Sequence, residues 1–244
     1  MSLVEKFHTV LSASAEELPG VELLPERLAR ASAAVLPVFG AGLSLCFAPE
    51  RHLPLGASDP ASGEVERQQF TTGEGPCVAC HDSGKSVLAS ESTLRSSWPG
   101  FFDAVASRTP VRSIFTLPLP DELLGVGVLE FYLDSPDGAD ALSIEHAVTV
   151  GGQVTAVLQA ASRGAQRHSE LPGWTDAPPA QRRALVWQAI GMVSGSLRLP
   201  GADALALLRA HAYGSSTTVD ALAATLVSGQ VRPRDLAPDA DHPR

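Results

Sequence analysis

The residues most able to do chemistry lie in one short stretch, Cys77-Val-Ala-Cys80-His81. Its letters are those of the motif that attaches c-type haem. Such attachment requires an exported chain and a distal ligand, for which Met or a second His is usual. The N-terminus lacks the basic start and long apolar stretch of a signal peptide, and the only methionines are Met1 and Met192. We therefore expect no haem and predict no cofactor.

The same side chains support three other interpretations. Cys46, Cys77, Cys80 and His81 would supply a Cys₃His zinc set if the fold brought Cys46 near the others. A CxxC pair at a helix start would instead serve as a thiol sensor with a lowered pKa. In the third interpretation, which we favour, Cys46 is buried in a strand and Cys77 packs at a helix start. Cys77, Cys80 and His81 then remain only minor candidates for a metal.

Catalytic signatures do not appear elsewhere in the sequence. No GxSxG, HExxH, P-loop or GxGxxG motif occurs in a strand–turn–helix setting. The acidic cluster of a phospho-acceptor domain is missing as well. We therefore predict that the chain is not an enzyme and that its input is a ligand or a partner.

Composition indicates a folded chain in a reducing compartment. Hydrophobic residues make up 44% and charged residues 18%, which favours a packed core over disorder. No apolar run reaches the ~18 residues of a membrane span. Three cysteines give no disulfide framework. The predicted location is the cytoplasm, without membrane contact.

The first two thirds of the chain mix helix and strand patterns. Residues 22–36 and 143–161 have helical spacing of apolar residues. Strand patterns lie at 42–48, 52–58, 86–90, 113–119 and 126–133, the last two joined by a predicted hairpin. We predict an α+β domain over residues 1–163, with an antiparallel sheet and flanking helices.

The remainder is predicted to be a linker, a small helical domain and a tail. Residues 164–180 contain three Pro and few aliphatics, a linker composition. Helical patterns at 182–197, 203–214 and 219–227 form a three-helix domain over residues 181–232. Residues 233–244 are rich in Pro and Asp and are predicted to be disordered.

Charge differs between the two parts. The whole chain has a net charge of −9, yet residues 181–244 hold seven Arg against five Asp. An asymmetry of this kind indicates different partners for each part. The excess of two positive charges is small, because a nucleic-acid-binding module is usually far more basic.

Two stretches resemble known families. Residues 42–133 resemble the GAF domains of actinobacterial regulators, through Phe70-Thr-Thr-Gly-Glu-Gly-Pro-Cys77, Ser83-Gly84, Trp98-Pro99 and the strands at 113–119 and 126–133. Residues 185–231 are similar to the ANTAR output domain that accompanies such GAF domains, through Gln188–Val193, Ala204–Tyr213 and Val219–Val227.

The resemblance implies a sensor that controls an RNA-binding module. In that family the ANTAR domain binds paired stem-loops in nascent RNA and prevents a terminator from forming. The GAF domain would bind a small molecule or a protein. Ile190 and Thr217 stand where family members often carry a cation, so fewer phosphate contacts are expected.

The resemblance also implies a homodimer. Val150, Val154 and Val157 would form a parallel seam along the helix at 143–161, or would pack on their own sheet instead.

We expect the RNA contacts to come from cations and one aromatic ring, in the set Arg182, Arg183, Arg209, His211, Tyr213 and Arg232. Alternatively, Arg182, Arg183 and Arg232 are solvated helix ends and Tyr213 fills the core beside Leu208. Two other functions stay open: a sensor or interaction protein whose helical domain has lost RNA affinity, and a thiol or metal sensor.

Overall fold

A computed structural model describes residues 1–46, 52–121, 125–166 and 171–237. The chain divides into two compact units, Met1–Ala180 and Gln181 onward. The helices of the first unit are α1 (Leu3–Glu17), α2 (Leu24–Val35), α3 (Pro60–Thr72), α4 (Pro76–Ser83), α5 (Glu91–Ser97), α6 (Pro99–Ala106), α7 (Gly138–Ala141) and α8 (Ile144–Gln166). Its strands are β1 (Gly40–Cys46), β2 (His52–Ala57), β3 (Val87–Ala89), β4 (Ser113–Asp121) and β5 (Gly125–Leu133). The helices that follow are α9 (Pro178–Leu197), α10 (Gly201–Gly214) and α11 (Val219–Val227).

The strands form one antiparallel sheet in the order β2-β1-β5-β4-β3. The predicted α+β class and all five strand patterns are confirmed, although residues 47, 48 and 122–124 of the predicted elements lie outside the described ranges. Because successive side chains of a strand point to opposite faces, each strand serves two layers. Leu129, Phe131 and Leu133 of β5 join an apolar core with α1, α2 and α8. Glu130 and Tyr132 point to the opposite face, where α3–α6 pack.

Helix α8 is held against its own sheet. Its residues Ala147, Val150, Val154 and Leu158 follow one another at helical spacing and are all buried in the apolar core. The predicted dimer seam is therefore wrong at Val150 and Val154, because these side chains are used within the unit. Val157 is half-buried against the same core.

The predicted linker over residues 164–180 is corrected by the position of Trp174. This side chain is 1% exposed and belongs to the core of the first unit. Its indole Nε1 donates to the Ser162 hydroxyl at 3.2 Å. Gly173–Asp176 form a 3₁₀ helix, so the first unit continues to Ala180 instead of ending at residue 163.

The corner between α3 and α4 explains the Gly-Glu-Gly-Pro-Cys stretch. Gly73 ends α3 in the left-handed conformation, and Gly75 has φ +138° immediately before Pro76, the first residue of α4. This path lets the side-chain oxygen of Gln69 accept a hydrogen bond from the backbone N–H of Cys77 at 2.9 Å. The Gln69 side chain, near the end of α3, therefore satisfies a backbone N–H in the first turn of α4 that has no partner within its own helix.

The second unit has a small core of its own. Its buried apolar residues come from all three helices: Val186, Ala189, Val193, Ala204, Leu205, Leu208, Ala212, Val219, Leu222, Ala223 and Leu226. The three predicted helices are thus present, and the buried stripe of α9 runs through Val186, Ala189 and Val193. Pro233–Leu236 form a 3₁₀ helix and Leu236 is buried, which corrects the predicted disorder at the start of the tail. Residues 238–244 lie outside the described ranges.

We expect Gly75→Ala to destabilise the chain by about 3 kcal/mol, because φ +138° is a region that only glycine adopts readily. A Cβ there would also lie 2.5 Å from Oε1 of Gln69 and displace its hydrogen bond to Cys77. Gly84→Ala is the matched control: its φ is also positive, but a Cβ would meet nothing within 4 Å. Urea unfolding should show a loss of about 1 kcal/mol for Gly84→Ala. Equal losses for both variants would contradict this role of Gly75.

Candidate functional site

A polar cluster lies between the central strands and helices α3 and α4. Glu130 is 1% exposed and Gln69 is fully buried. The Gln69 Nε2 donates to both carboxylate oxygens of Glu130, at 2.9 and 3.0 Å, and the Tyr132 hydroxyl donates to one of them at 3.0 Å. Since Gln69 also accepts from Cys77, one side chain connects β5, α3 and α4.

Burial controls the ionisation of this network. Burial raises the pKa of Glu130, while the hydrogen bond from Gln69 opposes that rise by favouring the carboxylate. Burial also raises the pKa of Tyr132 well above its ordinary value, and the neighbouring Glu130 adds to the rise. A carboxyl group that must be ionised inside a protein needs donors, and Gln69 and Tyr132 supply them.

Three potential metal ligands meet beside this network. Cys46 ends β1, His52 begins β2 opposite Cys46 in the strand register, and Cys77 lies in the first turn of α4. The Sγ of Cys77 is 4.0 Å from the Sγ of Cys46 and 3.6 Å from Nε2 of His52. All three side chains are buried, and their ligand atoms lie within 4.8 Å of one another.

This arrangement corrects the predicted metal set. Among the described residues, His52 joins Cys46 and Cys77, whereas Cys80 and His81 do not complete a group with Cys77. His52 was missed because no short motif contains it; its signal is the pairing with Cys46 across the β1–β2 hairpin. The prediction that Cys46 is buried in its strand and that Cys77 packs at a helix start is confirmed.

The electrostatics of the buried cysteines disfavour the thiol-sensor hypothesis. The hydrogen bond to Cys46 and burial together raise the pKa of Cys77 well above its ordinary value. Burial raises the pKa of Cys80 to about 12. The thiolate is the reactive form of cysteine, so these buried thiols are poor nucleophiles at neutral pH. The predicted lowered pKa at the CxxC pair is therefore wrong.

Two cavities of the first unit lie away from this cluster. A groove of about 430 Å³ lies where β1 begins and β5 ends, lined by Pro37, Val38, Phe39, Leu133, Asp134, Ser135, Gly138, Ala141 and Leu142. A much smaller apolar void of about 20 Å³ lies on the α8 side of the sheet, beside Trp174. The groove is large enough for a small ligand.

The predicted RNA-binding residues occupy different environments in the second unit. Arg183 is fully buried, and its guanidinium donates to the Asp220 carboxylate at 3.1 Å. It ties α9 to the first turn of α11 and is not available to RNA, which corrects its predicted role. Arg182, Arg232 and His211 are exposed and Arg209 is partly exposed.

Tyr213 is 50% exposed, so it does not fill the core as the alternative supposed. Arg209 precedes it by four residues on α10, and residues four apart lie on the same side of a helix. His211 lies between them in sequence, and helix geometry turns it away from both. The structure thus groups Arg209 with Tyr213 and separates them from His211.

The comparisons with known proteins give remote structural likenesses. No protein-family model and no curated protein matches the chain. A GAF domain from a phosphoenolpyruvate-protein phosphotransferase of Coxiella burnetii is 14% identical with a TM-score of 0.44, covering 67% of this chain and 99% of its own. The GAF domain of the Acinetobacter phosphoenolpyruvate-protein phosphotransferase is 16% identical with a TM-score of 0.42, covering 66% of this chain and 96% of its own. Likenesses at this level assign neither a family nor a function.

Within the described ranges, none of the helices combines the length and apolar character that crossing a bilayer requires.

Glu130 should make stability depend on pH. A carboxyl group whose pKa is raised by folding binds its proton more tightly in the folded state than in the unfolded state. Its contribution is fully present below the ordinary Glu pKa of about 4.3 and is lost as pH rises through the folded value. The free energy of unfolding should therefore fall over this window in the natural chain and fall less in Glu130→Gln. Denaturant titrations across pH check this, and parallel pH profiles for the two proteins would contradict it.

The Arg183–Asp220 ion pair should be necessary for the stability of the second unit. Asp220→Asn leaves a fully buried guanidinium without its carboxylate, so we expect a loss of about 3 kcal/mol in unfolding free energy. Asp203→Asn is the matched control, because Asp203 is an exposed acid in the first turn of α10 and should matter by about 0.5 kcal/mol. Replacing both partners of the buried pair, Arg183→Met with Asp220→Leu, should recover part of the loss. Similar stabilities for Asp220→Asn and Asp203→Asn would refute the role of the pair.

Proposed function

We propose that the chain is a signal-responsive transcription regulator and not an enzyme. In this proposal the first unit is a GAF-type sensory domain that binds a small molecule or a protein. The second unit is an ANTAR-type module that binds RNA stem-loops and promotes antitermination. The proposal includes a cytoplasmic homodimer, whose seam cannot use the buried Val150 and Val154.

The proposal depends most on the exposed Tyr213 next to Arg209. A half-exposed aromatic ring at a helix surface can stack on an unpaired loop base. A guanidinium one turn away can contact the phosphate of the same strand. This pairing of a stacking surface with a cation is the usual chemistry of single-stranded RNA recognition.

The charge of the second unit also favours this function. Its described residues include six Arg and three Asp, with neither Lys nor Glu. Arg183 and Asp220 neutralise each other internally, so five Arg and two Asp remain for the surface. The buried pair thus removes equal charges of both signs, and the surface keeps its positive excess. Such an excess supports phosphate contacts whose strength falls with added salt.

The test is binding of the full chain to an RNA with two adjacent stem-loops over a series of salt concentrations. Arg182→Gln and Arg209→Gln should each weaken binding and each reduce the slope of log K against log salt by about 0.7–0.9. Tyr213→Ala should cost about 1–3 kcal/mol of binding free energy with little change in slope. Arg163→Gln, which removes an exposed cation from α8 of the first unit, is the charge-matched control and should bind as the natural chain does.

If the natural chain fails to bind this RNA even at low salt, the RNA-binding proposal is rejected. The interaction protein with a helical domain that has lost RNA affinity then takes its place. Ile190 and Thr217, where related helical domains often carry cations, would account for that outcome.

A further inference from the structure

We propose that Cys46, His52 and Cys77 form a zinc-class transition-metal site in the first unit. The inference is independent of RNA binding, because all three residues lie in the first unit and the RNA contacts lie in the second. The residues come from three different elements, β1, β2 and α4. A bound ion would therefore link both strands of the β1–β2 hairpin to α4.

Two of the three distances between the ligand atoms match a tetrahedral site. Zn–S bonds of about 2.3 Å and Zn–N bonds of about 2.0 Å at tetrahedral angles place two sulfurs about 3.8 Å apart and a sulfur about 3.5 Å from a nitrogen. The observed separations are 4.0 Å between the two Sγ atoms and 3.6 Å between Cys77 Sγ and His52 Nε2. The third pair of ligand atoms, on Cys46 and His52, lies within 4.8 Å.

The charge balance suits a buried site. Two thiolates, one neutral imidazole and a divalent ion add to zero net charge, which reduces the penalty of burying them. Binding would release the protons of the two thiols, since metal ligands are deprotonated.

The surroundings of His52 support its role as a ligand. Its Nε2 faces Cys77, while its Nδ1 lies 3.8 Å from an oxygen of Glu66, a buried carboxylate on α3. A carboxylate behind a histidine orients the ring and strengthens its metal bond. The Ser44 hydroxyl lies 3.6 Å from Cys77 Sγ and is the oxygen of a neighbouring side chain. The site thus has three protein ligands, an orienting acid and a neighbouring hydroxyl.

The test is the metal content of the full chain produced with added zinc and measured by elemental analysis. We expect about one zinc per chain for the natural protein. Cys46→Ser, Cys77→Ser and His52→Ala should lose it. Cys80→Ser is the matched control, because Cys80 is an equally buried cysteine one turn along the same helix and should keep the metal. Glu66→Gln should keep the site but weaken its affinity by roughly 10- to 100-fold.

A second readout guards against variants that do not fold. Cobalt(II) added to metal-depleted natural chain should give the intense visible bands of a tetrahedral ion and thiolate-to-cobalt charge transfer. Three results would overturn the proposal: no stoichiometric metal in the natural chain, loss of metal in Cys80→Ser with retention in Cys46→Ser, or a Cys46–Cys77 disulfide in its place. The metal proposal does not depend on RNA binding. Failure of the metal test therefore leaves the RNA-binding proposal unaffected, and that proposal has its own test.

Discussion

The first unit depends on the hydrogen bonds that satisfy buried polar groups on the α3–α4 side of its sheet. Gln69 does most of this, because it donates to Glu130 and accepts from the first turn of α4. A buried acceptor or donor without a partner costs more than a typical hydrogen bond contributes. The path of the chain at Gly75 follows from the same requirement, since a larger residue would collide with the Gln69 carboxamide. The Gly-Glu-Gly-Pro-Cys stretch is therefore explained by geometry at a helix–helix corner.

The spacing of apolar residues and the residues typical of turns predicted the strands and the long helices. These elements bury one face, so their apolar residues recur at regular intervals. Helices α1, α3 and α5–α7 were not predicted, and of α4 only the start at Cys77 was predicted. In α3 the buried face includes Glu66, Gln68, Gln69 and Thr71, so hydrophobic spacing conveys little there. The predicted linker failed at Trp174, whose single large side chain outweighs the surrounding Pro and Gly. Arg183 failed as an RNA contact because its partner Asp220 lies 37 residues away and cannot be inferred from local pattern.

The site shows a similar limit. The CxxC-His letters direct attention to Cys80 and His81, but a helix and a hairpin bring together Cys46, His52 and Cys77 instead. Cys46 and His52 lie opposite each other only because β1 and β2 pair in that register. In the second unit the same lesson applies to Tyr213, which is shown to be exposed and not part of the core only once α10 has been placed. Residue types restrict the chemistry, and strand register and helix placement decide which of them meet.

The proposed metal lies on the polar side of the sheet, between β1, β2 and α4. X-ray absorption at the zinc edge of the full chain tests this site most directly, because it counts the ligand atoms around the ion. We expect two sulfurs at about 2.3 Å and nitrogen and oxygen neighbours at about 2.0–2.1 Å. A shell of oxygen and nitrogen alone, or one with three or four sulfurs, would contradict it.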